Sequence, residues 1–169
     1  VFASLVSYKV IGQSVFDRVL LNKKIDLKIG RENIKLQQIS VSTISHQDFC
    51  TLSPNQSINN SIKLMVKSQK SEGYLINSEG KLINKFELYK LINIKNKNLK
   101  IKSLEKNKYL ELHDHDNVYK SIEKCKEFVG ESIPVVSKNE SMIGIISEGD
   151  LFQIFLKVAD EEKKHENDG

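Results

Sequence analysis

Two side chains near the C-terminal end have the types and spacing to do chemistry. Ser147 and Asp150 stand three residues apart in Gly144-Ile145-Ile146-Ser147-Glu148-Gly149-Asp150-Leu151, and a carboxylate in such a setting can accept from two hydroxyls at once. The same [ST]-x-x-[DE] spacing resembles a capping box at the start of a helix, where an acid is favoured by the helix dipole. Residues 113–116, His-Asp-His-Asp, offer the ligand types of zinc. Four neighbours in one short loop rarely converge on one ion, so the run reads as a strand-to-helix turn and no metal site is expected. Cys50 and Cys125 have no second thiol or histidine at ligand spacing and read as buried, reduced core residues. The sequence has no phosphate-cradling glycine loop, no thiol paired with histidine and no carboxylate pair that pattern places face to face. No enzyme is expected.

The elements that must hold Ser147 and Asp150 are found by repetition. Shifting the chain by 60 residues superposes Leu52 on Leu112, Ser61 on Ser121, Ile62 on Ile122, Leu91 on Leu151 and Ile94 on Ile154 without a gap. Residues 49–52 and 109–112 read as short strands. Ser57 in the first copy, and Asp116 or Asn117 in the second, sit where a helix N-cap belongs. Ile58, Ile62 and Met65, then Val118, Ile122 and Cys125, form matching buried stripes at i, i+4 and i+7. Strand pairs follow at 74–77 with 81–86 and at 134–137 with 142–147, joined by tight turns. Leu151, Ile154, Phe155 and Val158 give the apolar face of a closing helix. The prediction is an α+β fold of two β-α-β-β-α units, packed pseudo-symmetrically and preceded by a helical connector.

A chain of 169 residues with 39% hydrophobic content and a net charge of +4 suits one or two small folded units. Lys95, Lys97, Lys100, Lys102, Lys106 and Lys108 crowd one stretch, which reads as a solvated connector, with an anionic phosphate or lipid headgroup as the other partner to weigh. The lysines lack interleaved aromatics or a reading helix, so no nucleic-acid partner is expected. Residues 1–21 begin without a methionine and are apolar in part, as in a piece cut from something longer. The expected divisions are 1–21, a connector at 22–47, unit one at 48–98, unit two at 108–158 and a polar tail at 159–169.

Ile133-Pro134-Val135-Val136, followed by the Gly144 to Leu151 run, resembles the signature of a CBS domain, and the repeat makes it a tandem pair. The resemblance implies an adenine nucleotide, ATP, ADP or AMP, in the cleft between units. Ser147 would then lie near phosphate, Asp150 against the ribose, Ile133 and Ile145 beside the base, and a lysine of copy one near phosphate. Copy one departs from the motif, with Asn84, Glu87, Lys90 and Tyr74 at the aligned positions, so one site of the pair reads as silent. Upstream, residues 12–21 and 25–33 resemble the last transmembrane helix and connector of ClC chloride channels and exchangers, with residues 41–44 as a short extended lead-in to unit one. That likeness implies a membrane parent with the CBS pair on its cytoplasmic side, regulating chloride transport and dimerising through the CBS units. Phe16 matches a family position that often carries a chloride-contacting tyrosine, but it has no hydroxyl to donate. A ligand-free dimerisation platform and a free-standing CBS protein are the alternatives.

Overall fold

A computed structural model describes residues 31–167. Phe16 and the match at 12–21 lie outside the described residues. The chain opens with helix α1 (Arg31–Gln38) and a 3-10 turn at Val41–Thr43. Unit one then runs β1 (Cys50–Leu52), α2 (Ile58–Lys67), β2 (Glu72–Ile76), β3 (Leu82–Glu87) and α3 (Leu88–Ile92). A second 3-10 turn at Ile101–Ser103 leads into unit two: β4 (Leu112–His113), α4 (Val118–Lys124), β5 (Ile133–Val136), β6 (Met142–Ile146) and α5 (Glu148–Asn167). A further 3-10 turn, Cys125–Glu127, follows α4.

Each unit forms one three-stranded sheet, with order β1-β2-β3 in the first and β4-β5-β6 in the second. The first pairing in each is parallel, which requires the crossover that α2 and α4 supply. The repeat is kept in register. Leu52 lies opposite Leu75 as Leu112 lies opposite Val135, and Tyr74 lies opposite Lys85 as Pro134 lies opposite Ile145. Even the bulge recurs, after Leu75 and after Val135. The tight turns match as well: Gly80 is left-handed at φ +80°, and Glu140, 60 residues on, takes the same region at φ 63°.

Helix starts follow the side chains available. The Ser57 hydroxyl accepts from Asn60 N, and the Asn117 side chain accepts from Lys120 N. Asn117, not Asp116, is therefore the cap of α4. Residues 41–44 are not extended as expected. They form a 3-10 turn because the Ser40 hydroxyl accepts from Ser42 N and Ile44 N donates back to Val41 O.

The lead-in segments exchange between units. Val41 N donates to Asp116 O and Val118 N to Ile39 O, while Ile101 N donates to Gln56 O and Ile58 N to Leu99 O. The segment before unit one thus closes unit two, and the segment before unit two closes unit one. Burial agrees: Leu36 and Val41 are fully buried among Leu112, Ile122, Val135 and Phe155, whereas Ile101 is buried among Leu52, Ile58, Met65 and Leu75. The lysine-rich connector is therefore a folded part of the repeat, with Ile101 buried and its lysines exposed or half-buried.

Gly144 is required by this exchange. Ser45 and His46 cross it so closely that an added Cβ would lie 2.8 Å from His46 O and 3.1 Å from Ser45 Oγ. Gly144→Ala should lower unfolding free energy by about 1–3 kcal/mol, the range for overpacking. Urea titration measures this, and an unchanged midpoint would show that the crossing segment moves freely.

Candidate functional site

Ser147 and Asp150 meet at the first turn of α5 and close on each other. Ser147 N and Oγ both donate to Asp150 Oδ2, at 2.8 and 2.7 Å, and Asp150 N returns a bond to Ser147 Oγ at 3.1 Å. This is a reciprocal capping box. Asp150 keeps about a third of its side chain in solvent, and His46 Nε2 stands 3.5 Å from its Oδ2. His46 is fixed there because its backbone exchanges two hydrogen bonds with Ile145, at 3.0 and 2.9 Å. The edge of β6 thus gathers a hydroxyl, a carboxylate and an imidazole within reach of one polar ligand. Ile145 is nearly buried beneath them, and Ile133 is fully buried in the core of unit two.

Copy one has a different answer at each aligned position. Lys90 Nζ donates to Glu87 Oε1 at 2.6 Å, which makes an ion pair of the positions that hold the capping box in copy two. Glu87 makes no side-chain cap, and α3 ends after five residues where α5 runs for 20. Asn84 replaces the glycine and uses its amide as a strand edge. Its Nδ2 donates to Glu105 O at 3.0 Å, and its Oδ1 accepts from Asn107 N at 3.0 Å.

Where the two units meet, the structure holds a polar cluster that sequence reasoning missed. Lys85 Nζ lies 2.7 Å from Glu72 Oε1, and both side chains are 7% exposed. Glu72 also accepts from Glu131 N, Ser132 N and Ser132 Oγ, at 3.1, 2.9 and 2.6 Å. Lys85 donates to Ser132 O at 2.5 Å and lies over the rings of Tyr74 and Phe128. The Tyr74 hydroxyl shares a 2.6 Å bond with Ser132 Oγ. Burial, and next the neighbouring Glu72 carboxylate, push the Tyr74 phenol far above its ordinary value, so it stays protonated. Glu72 and Ser132 are repeat partners, 60 residues apart, so the pseudo-two-fold axis passes between them. A signal was present: Glu72, Tyr74 and Lys85 interrupt strand positions that copy two fills with Ser132, Pro134 and Ile145.

The remaining candidates are structural. In the 113–116 loop, Asp116 accepts from His113 N at 2.9 Å and from Lys124 Nζ at 2.8 Å. Burial pushes its pKa up, but the His113 amide and the Lys124 ammonium more than offset this and hold it below the ordinary carboxylate value. Among the described residues no group of three or more His, Cys, Asp or Glu is placed to hold a metal ion. Cys50 and Cys125 are both buried free thiols, and burial pushes Cys125 up to about 12. No helix among the described residues is long and apolar enough to cross a membrane.

This architecture is that of a tandem CBS pair. A CBS domain-containing protein of unknown function from Bacillus anthracis superposes with a TM-score of 0.64 at 15% identity, covering 74% of this chain and 98% of that one. The soluble part of a magnesium transporter matches with a TM-score of 0.63 at 16% identity, over 78% of this chain and 52% of that one. CBSX2 of Arabidopsis thaliana, in a structure in complex with AMP, matches with a TM-score of 0.61 at 18% identity, over 72% and 98%. No protein-family model and no curated protein matches the sequence. The likeness is one of fold.

The buried pair makes a sharp prediction. Lys85→Met leaves the Glu72 carboxylate buried without its cation and should cost about 3–5 kcal/mol of unfolding free energy. Adding Glu72→Gln should recover most of that loss, because no buried charge then lacks a counterion. Denaturant titration of the two single variants and the double variant checks the cycle.

Proposed function

We propose that this chain is the regulatory CBS pair of a ClC-type chloride channel or exchanger, placed on the cytoplasmic side of its membrane parent, and that it has no catalytic activity. Copy two binds an adenine nucleotide, and copy one serves as its structural partner. The observation that carries this reading is the cluster at the edge of β6, where Asp150 is one-third exposed beside Ser147 and His46. A ribose diol would take Asp150 Oδ1 and compete with Ser147 and His46 for Oδ2, while the Ser147 hydroxyl would turn to phosphate. Two other observations support it: a CBS pair of like fold is in complex with AMP, and another is the soluble part of a magnesium transporter. The link to chloride transport rests on the resemblance of residues 12–21 and 25–33.

One observation favours a second reading, a ligand-free platform for dimerisation. Ser147 and Asp150 already satisfy one another. Isothermal titration with AMP, ADP and ATP separates the two readings. Under the first, heat is released, and Asp150→Asn, which keeps a cap acceptor but loses the charge, weakens binding by roughly 10–100-fold, as loss of a charged hydrogen bond would. No heat from any of the three at millimolar ligand would leave the platform reading. Chloride flux of the full-length parent, with and without residues 45–169, tests the transport link, since a nucleotide response that survives truncation removes it.

A further inference from the structure

His46 stands where the fold does not require a titratable group. Its place is set by the backbone: His46 N donates to Ile145 O and Ile145 N donates back to His46 O, at 3.0 and 2.9 Å, across the gap that Gly144 leaves open. The imidazole then lies at the first turn of α5, with Nε2 3.5 Å from Asp150 Oδ2. Sixty residues on, copy one has Lys106 at the position of His46 and Lys90 at that of Asp150. Lys106 is exposed and Lys90 is held by Glu87. The pairing of imidazole with carboxylate therefore has no counterpart at the aligned positions of copy one.

Asp150 Oδ2 is the acceptor that this imidazole and a ribose would share. It already accepts from Ser147 N and Oγ, at 2.8 and 2.7 Å. A neutral imidazole at 3.5 Å adds at most a weak hydrogen bond. An imidazolium adds a charge-assisted contact, and imidazole is the side chain whose charge ordinarily changes between about pH 5 and 8. The other groups around His46 leave that contact in place. Ile145, beneath it on β6, is apolar. Asp48, two residues on, feels the imidazole charge, but its Oδ2 is 2.6 Å from Lys70 Nζ, which reaches it from the turn before β2. Asp150 has no cation other than His46 within ion-pair distance among the described residues. Its side chain is one-third exposed and that of His46 nearly half, so ligand and proton both have access.

We infer that His46 sets the pH dependence of the unit-two site: its imidazolium takes Asp150 Oδ2 from the ribose, so the site binds adenosine-type ligands more weakly in acid. The inference rests on the nucleotide-binding reading of Asp150 proposed above. Proton and ligand compete for one carboxylate, and by linkage each lowers the affinity of the other by the same factor. For a pair this exposed the factor reaches about fivefold.

Isothermal titration of the whole chain with adenosine tests it. Adenosine carries the diol without a phosphate, whose own second ionisation falls near about pH 6 and would blur the reading. Wild-type affinity should fall by about three- to fivefold between about pH 8 and about pH 5.5. His46→Gln, which keeps a polar side chain but no titratable charge, should hold its alkaline affinity across that range. His115→Gln removes a histidine that stands 3.2 Å from Asp114 and stacks on His113, away from the site, and should leave the fall unchanged. The Cε1 proton of His46, followed by NMR, supplies the reciprocal readout. Its titration midpoint should drop by about 0.5–0.7 pH unit when adenosine saturates the site, a shift that a purely structural His46 would not show. An affinity that is flat with pH in wild type, or a fall that survives in His46→Gln, would overturn the inference and leave the nucleotide reading standing. Binding that tightens in acid would overturn it by making His46 a donor to the ligand. No heat from adenosine at about pH 8 would overturn it as well, and no heat from AMP, ADP and ATP either would take the nucleotide reading with it.

Discussion

The Glu72–Lys85 pair must be buried for the two units to touch at all. Taking two charges out of water costs several kcal/mol for each, and that cost is repaid only when every remaining lone pair and proton finds a partner. Here the partners come from both sides of the pseudo-two-fold axis. Glu72 accepts from the backbone and hydroxyl of unit two at Glu131 and Ser132, and Lys85 donates to Ser132 O. Separating the units would strand both charges in a partly apolar surface. At the other end of the contact, Leu82 N donates to Glu140 O and Met142 N to Gly80 O, a symmetric bridge between the hairpins. The two contacts fix how the units sit.

Most of the fold was legible in the sequence because the repeat is carried by local signals. Apolar stripes at helical spacing, Ser57 and Asn117 as caps, and turns at 77–80 and 137–140 each specify structure within a few residues. Two features were not legible. The lead-in segments carry only scattered matches across the shift, among them Ile39 with Leu99, Val41 with Ile101 and Ile44 with Leu104. Their hydrogen bonds run to the unit that does not follow them in sequence, so no local pattern announces the exchange. The central cluster was missed because Glu72 lies outside the strand expected at 74–77, and only the facing unit makes an interior of the side chains of Glu72, Tyr74 and Lys85.

The inequality of the two copies follows from four positions. Gly144 lets Ser45 and His46 cross β6 closely, whereas Asn84 fills the same gap in copy one with its own side chain. Ser147 and Asp150 start a helix of 20 residues, whereas Glu87 and Lys90 pair with each other and α3 stops after five. Ile145 is apolar where Lys85 is charged, so only copy one contributes an ion pair to the shared axis. Copy one has thus exchanged the features of a binding edge for those that hold the pair together.

Native-state hydrogen exchange at the strand amides tests most directly whether the buried axis makes one cooperative body of two units. Amides of β2 and β3 should open with the same free energy as those of β5 and β6, and Lys85→Met should lower both sets together. Exchange from β2 and β3 at a markedly lower free energy than from β5 and β6, with only the former sensitive to Lys85→Met, would contradict the account.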